Sequence, residues 1–234
     1  MHEIDLNNYQ SITLPKNKAE LMRGLNAITQ EMGCVRFAYV QLPESYELLK
    51  AGVLPKMLTN YPEIVTREYL KKAKEPFSFV VRSLRNREAV FFHDAILSEE
   101  VYFLLIGQEV GLIDGVIIPI EGVKNAAMAY AFESNVTNNW VANYNKSDMV
   151  QITKIIDMII RANHLCDAFD IPGLTERTRR MLLLKAQGLT NAQVGDKLGV
   201  QPDTIKKALK RLGERLGGLS TIEIVYHLAT MSII

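Results

Sequence analysis

The chain has 234 residues, 48% of them hydrophobic and 23% charged, which allows one large domain or two modest ones and is too apolar for disorder. No apolar run approaches the ~20 residues that span a bilayer, residues 1–21 are too polar for a secretory signal, and Cys34 and Cys166 form no metal or redox spacing; membrane, secreted and disulfide-scaffold classes are excluded, leaving a cytoplasmic protein with reduced thiols. The net charge of +1 hides an asymmetry, because residues 173–234 carry ten Lys/Arg against five Asp/Glu, a surplus of +5, while residues 1–172 sum to −4.

In chain order, residues 17–32 place Leu21, Leu25 and Ile28 at helical spacing. Residues 35–42, 89–92, 115–121 and 126–133 are β-like and rich in Val, Ile, Phe and Tyr. A helical pattern covers residues 98–110, where Glu99 and Glu100 suit the positive end of a helix dipole. An amphipathic stretch covers residues 146–168. Short strands that do not alternate strictly with helices predict an α+β fold, an α-β-α sandwich around an antiparallel sheet.

Asp170-Ile171-Pro172-Gly173 is the best break in the chain, because Pro172 drives the residue before it out of helical geometry. The expected division is 1–169, a linker at 170–174, and 175–234. The last part is helical throughout, a four-helix unit with predicted helices at 176–187, 191–198, 202–216 and 220–231. Thr190 caps the second helix and Gly199 ends it. Pro202 occupies the first position of the third, where its missing N–H costs least, and Ser220 caps the fourth.

Two short helices joined by a Gly-containing turn fit a helix-turn-helix. Ile205, Leu209 and Leu212 form one apolar stripe on the second of them. Thr204, Lys206, Lys207, Lys210 and Arg211 lie opposite, where a helix held by its stripe presents cations to a major groove and to phosphates. A solvated Lys-rich face of a small bundle is the competing reading. The four histidines share no metal-ligand spacing, and no P-loop, Gly-x-Ser-x-Gly or dinucleotide fingerprint occurs. No enzyme, metal site or cofactor is expected.

Leu174-Thr175, Gly188, Thr190, Val194, Leu198, Gly199-Val200, Thr204-Ile205 and Leu216 together resemble the DNA-binding domain of LuxR-type transcription regulators. The resemblance implies a recognition helix at about 202–216, with Lys206 and Lys210 at base-reading positions. It also implies a last helix at 220–231 that dimerises through Ile222, Val225 and Ala229. Two departures stand out: Thr178 replaces the usual Glu, and Leu189 replaces a Lys that implies a phosphate contact.

Thr59-Asn60-Tyr61-Pro62, Tyr69 and the strand Gly115-Val116-Ile117-Ile118-Pro119-Ile120 extend the resemblance to the autoinducer-binding domain of the quorum-sensing branch. What it implies is a pocket for an acyl-homoserine lactone at Val65, Tyr69, Ser78, Phe79, His93 and Gly115, while a different ligand could use Tyr61, Tyr69, Ser78 and His93. Of the six usual pocket residues only Tyr69 and Gly115 persist. Val65 and His93 stand for tryptophans, and Ser78-Phe79 for an Asp-Pro pair. An apolar wall is expected from Phe77, Phe79, Val80 and Ile118. The expectation is therefore a homodimeric transcription regulator that binds a double-stranded DNA operator and holds an acyl-homoserine lactone, another small molecule or no ligand. The alternative is a ligand-independent interaction protein that binds DNA constitutively or heterodimerises with a ligand-responsive relative.

Overall fold

β5 (Ala126–Phe132) alternates alanine with Met128, Tyr130 and Phe132, and this alternation organises the first half of the protein. The computed structural model describes residues 15, 17–72, 79–94, 98–123, 125–133, 146–162, 171–231 and 233–234. The chain divides into two units, one of residues 1–42 and 56–167 and one of residues 43–55 and 168–234.

The first unit contains a five-stranded antiparallel sheet in the order β2-β1-β5-β4-β3. Its strands are β1 (Arg36–Gln41), β2 (Lys56–Thr59), β3 (Val90–Phe91), β4 (Asp114–Pro119) and β5. Register sets Phe37 opposite Tyr130 and Tyr39 opposite Met128, while Ala38 faces Ala129 and Val40 faces Ala127. Because side chains alternate across a sheet, one face is bulky and the other is floored by alanines.

The bulky face buries Phe37, Tyr39, Met128, Tyr130 and Phe132 against α1 (Lys18–Glu31) and α6 (Lys146–Ala162). Leu21, Leu25 and Ile28 of α1 are buried there as their spacing predicts. The two buried tyrosines keep their hydroxyls paired. Tyr39 donates to Asp157 at 3.3 Å, and Tyr130 shares a hydrogen bond with Thr153 at 3.1 Å, both on α6. Val116, Ile118 and Ile120 belong to this core as well.

The remaining helices of the unit are α3 (Glu63–Lys72), α4 (Phe79–Asn86) and α5 (Ser98–Glu109). A knot of hydrogen bonds aims α3. The Asn60 amide accepts from Phe37 N–H at 2.7 Å and donates to Asn26 of α1 at 2.6 Å. The Thr59 hydroxyl donates to Phe37 O and accepts from Tyr61 N–H at 3.0 Å. Asn60 thereby continues the β ladder one residue past β2, and Pro62 starts the helix with its carbonyl accepting from Val65 and Thr66. Arg82 of α4 pairs with the fully buried Glu100 of α5 at 3.2 Å, which joins these two helices.

In the second unit four helices surround one apolar core: α7 (Glu176–Ala186), α8 (Asn191–Leu198), α9 (Pro202–Arg215) and α10 (Thr221–Thr230). Their bounds fall within one residue of the predicted ones. Leu182, Val194, Ile205, Leu216, Ile224 and Leu228 are wholly buried. The same core takes in Leu48 and Val53 from the segment 43–55, which carries α2 (Tyr46–Lys50), a helix capped by Ser45. Among the described residues no helix is long and apolar enough to cross a membrane.

Candidate functional site

The alanine face of the sheet leaves a cavity of about 90 Å³ in the first unit. Ala38, Ala129 and Ile117 form its floor, and Tyr61, just ahead of α3, joins Val65 and Tyr69 of α3, Phe79 and Val80 of α4 and Phe103 and Leu104 of α5 in the walls. A single water occupies on the order of 10–15 Å³ by this kind of measure, so the space takes several waters or a slim organic group. The lining is almost entirely apolar. The buried phenol oxygen of Tyr61 has no hydrogen-bond partner, and burial pushes its ionisation well above the ordinary tyrosine value. It remains a neutral O–H, a donor without an acceptor.

Four of the residues named from sequence, Tyr61, Val65, Tyr69 and Phe79, thus meet around one space. Val65 contributes only apolar surface. Ser78 and Phe77 lie outside the described residues. Gly115 lies under Phe92, and a Cβ there would come within 2.4 Å of both the Phe92 ring and Tyr130 O. Glycine at 115 therefore lets Phe92 pack down on the sheet, with its ring 5.1 Å from that of Phe79. His93 does not line the cavity: it sits in a 3-10 turn with its side chain 51% exposed. Its Nδ1 lies 2.5 Å from Asp114 Oδ2, and Asp114 Oδ1 accepts from the backbone N–H of His93 and Gly115. Ile118 faces the opposite core rather than the cavity, because strand alternation gives Ile117 the cavity side. Val40, Met57, Thr66, Phe92, Gly107, Leu112, Ile113 and Asp114 complete the lining. Periodicity could not identify them, since their common ground is created by the sheet register.

The second candidate site is the surface of α8 and α9. Thr190 and Gln193 form a reciprocal capping box, with Gln193 N–H donating to Thr190 Oγ1 at 3.3 Å and Thr190 N–H to Gln193 Oε1 at 2.8 Å. Gly199 ends α8 in the left-handed region at φ 65°, which favours glycine. Pro202 opens α9, and Ile205, Leu209 and Leu212 are buried beneath it. Thr204, Lys206, Lys207, Lys210 and Arg211 are all exposed. Two ion pairs run along that outer face: Lys207 to Asp203 at 2.8 Å and Lys210 to Glu214 at 3.7 Å. The hydrogen bond and charge of Lys207 hold the Asp203 carboxyl below the usual aspartate value.

Residues 172–228 match the family model described as bacterial regulatory proteins, luxR family. The C-terminal unit carries a luxR-family domain. No curated protein sequence matches the chain. Among solved structures, Escherichia coli SdiA is similar at 15% identity and a TM-score of 0.55, over 97% of this chain and 96% of SdiA. SdiA in complex with octanoyl-rac-glycerol is similar at 14% identity and 0.54, over 99% and 97%. At that identity the likeness shows a shared fold across both halves of the chain.

Within the luxR-family domain the two sequence departures are absorbed locally. Thr178 sits at 2.9 Å from the hydroxyl of Thr175, the residue that caps α7, so a hydroxyl pair stands where a carboxylate is usual. Leu189 packs against the apolar core and offers no charge to a phosphate. On α10 of the domain, Ile222 is 81% and Tyr226 57% exposed, with Ala229 exposed on the next turn and Val225 partly covered.

Proposed function

We propose that the protein is a cytoplasmic, homodimeric transcription regulator whose first unit holds a small ligand and whose second binds a double-stranded DNA operator. The reading divides the chain functionally into a sensor and dimerisation part at 1–169, of which residues 43–55 pack into the second unit, a linker at 170–174 and a DNA-binding part at 175–234. The observation that carries it is α9, a helix pinned by a buried stripe with its cations outward, inside a luxR-family domain. Lys206 and Lys210 read base edges, Lys207 and Arg211 meet phosphates, and Thr190 and Thr204 flank them at the groove. Ile222, Val225 and Ala229 form the seam between two copies, so the operator is a pseudo-palindrome with half-sites about one helical turn apart.

The ligand this cavity favours is uncharged and mostly apolar, with one acceptor for the Tyr61 phenol. An acyl chain with an ester or amide carbonyl has that chemistry, and the octanoyl-rac-glycerol of the SdiA complex is of this kind. An acyl-homoserine lactone also qualifies, though Val65 gives its ring carbonyl no donor. Operator selection with the full chain tests the DNA half: Lys206→Ala or Lys210→Ala should cost ~1–3 kcal/mol at the selected site and relax base preference there. Wild-type affinity in both variants would displace α9 from the groove. Thermal melting with and without neutral acyl ligands tests the sensor half, since a ligand that binds only the native state raises the midpoint. A protein that binds operator and shifts with none of them would be the ligand-independent alternative.

A further inference from the structure

We propose that Asp203 is a specificity residue that reads a cytosine in the operator by accepting a hydrogen bond from its N4 amino group. The inference rests on the reading of α9 as the recognition helix. Pro202 is the first residue of that helix and Asp203 the second, and the N-terminal residues of a recognition helix are the ones that reach base edges. The Asp203 side chain is 66% exposed, on the surface opposite the buried Ile205, Leu209 and Leu212.

A carboxylate is out of place on a surface that meets phosphates, because it repels them. It fits a DNA interface only where the groove offers a hydrogen-bond donor. In the major groove guanine and thymine present acceptors, while cytosine presents the N4 amino group and adenine an amino group beside the N7 acceptor. An ionised carboxylate has acceptors only, so adenine sets N7 against it and cytosine does not.

Lys207 makes the arrangement workable. Its Nζ takes Asp203 Oδ2 at 2.8 Å from one turn further along the helix, which offsets the negative charge and steadies the carboxylate. An ammonium has three donors, so Lys207 keeps two for the phosphate contact already assigned to it. The Lys210 and Glu214 pair is looser, at 3.7 Å, and lies toward the other end of the helix.

The test is operator selection from a randomised duplex library with the full chain as wild type, Asp203→Asn and Asp203→Ala, at one fixed salt concentration. The wild type should select cytosine at one position of each half-site, by roughly tenfold or more over the other bases. Asp203→Asn should move that position to adenine, since an amide pairs with both N6 and N7. Asp203→Ala should lose preference there and leave every other position unchanged. Melting midpoints of the three proteins confirm equal folding, which the exposure of the side chain favours. If all three select the same sequence and the variants merely bind every duplex more tightly, Asp203 is a helix-start charge and the proposal is overturned. A wild type that binds no duplex would overturn both this inference and the DNA-binding reading.

Discussion

Tyr61 lines the cavity, and its phenol oxygen is buried with no hydrogen-bond partner. A buried hydroxyl left unpaired costs about 1–3 kcal/mol, whereas one that finds an acceptor contributes. On the proposed reading, a ligand carbonyl that reached this oxygen would offset that cost. Tyr61→Phe should leave the ligand-free protein as stable as wild type or up to ~1 kcal/mol more stable. It should weaken a carbonyl-bearing ligand by about tenfold, in line with the net worth of one hydrogen bond. Melting curves with and without ligand give both quantities. An undiminished ligand shift in the variant would put the phenol outside the binding site. Val65, half a turn into α3 on the same wall, has no such choice to offer, and a ligand's other polar groups must find their partners elsewhere.

β5 decides which side of the sheet has room. Its alanines at 127, 129 and 131 are buried yet occupy little volume, and opposite them in the register lie Val40, Ala38 and Arg36. Ala129→Leu should fill the cavity floor while leaving the bulky face untouched. The expected result is a folded protein with unchanged secondary structure that no longer gains stability from any ligand taken by wild type. A persistent ligand shift would mean that the ligand sits somewhere other than the alanine face. The alternation of β5 is readable in the sequence, but its meaning is not, since the pairing of Ala38 with Ala129 spans 91 positions. The same holds for the small elements. β2 has four residues and α2 five, too few to show a period, and α3 buries none of its residues completely. The helices of the second unit are legible nearly to the residue because caps are local chemistry: Thr190 and Ser220, like Thr175, which the sequence reading does not single out as a cap, each accept from the backbone three positions on. His93, expected in the pocket from sequence, lies outside the cavity lining for the opposite reason. It belongs to a three-residue 3-10 turn that points it at Asp114, a partner 21 positions away.

At the scale of the molecule, the core beneath α9 is built from two stretches of chain. Leu48 and Val53 are buried to within 1% alongside Ile171, Leu182 and Leu216. Burying a side chain of that size is worth ~1.5–3 kcal/mol, a large share of the 5–15 kcal/mol typical of a whole domain. A fragment of residues 168–234 should therefore unfold at a clearly lower denaturant concentration than the same helices do in the full chain, and restoring residues 43–55 should recover the difference. Equal midpoints for fragment and full chain would show that the segment adds nothing. Chain order gives this construction a biosynthetic meaning. The segment is synthesised more than a hundred residues ahead of the helices whose core it joins, and Ile224 and Leu228 of that core come after α9. A chain that stops short of α10 lacks Ile224 and Leu228, so α9 loses part of the apolar core that seats it.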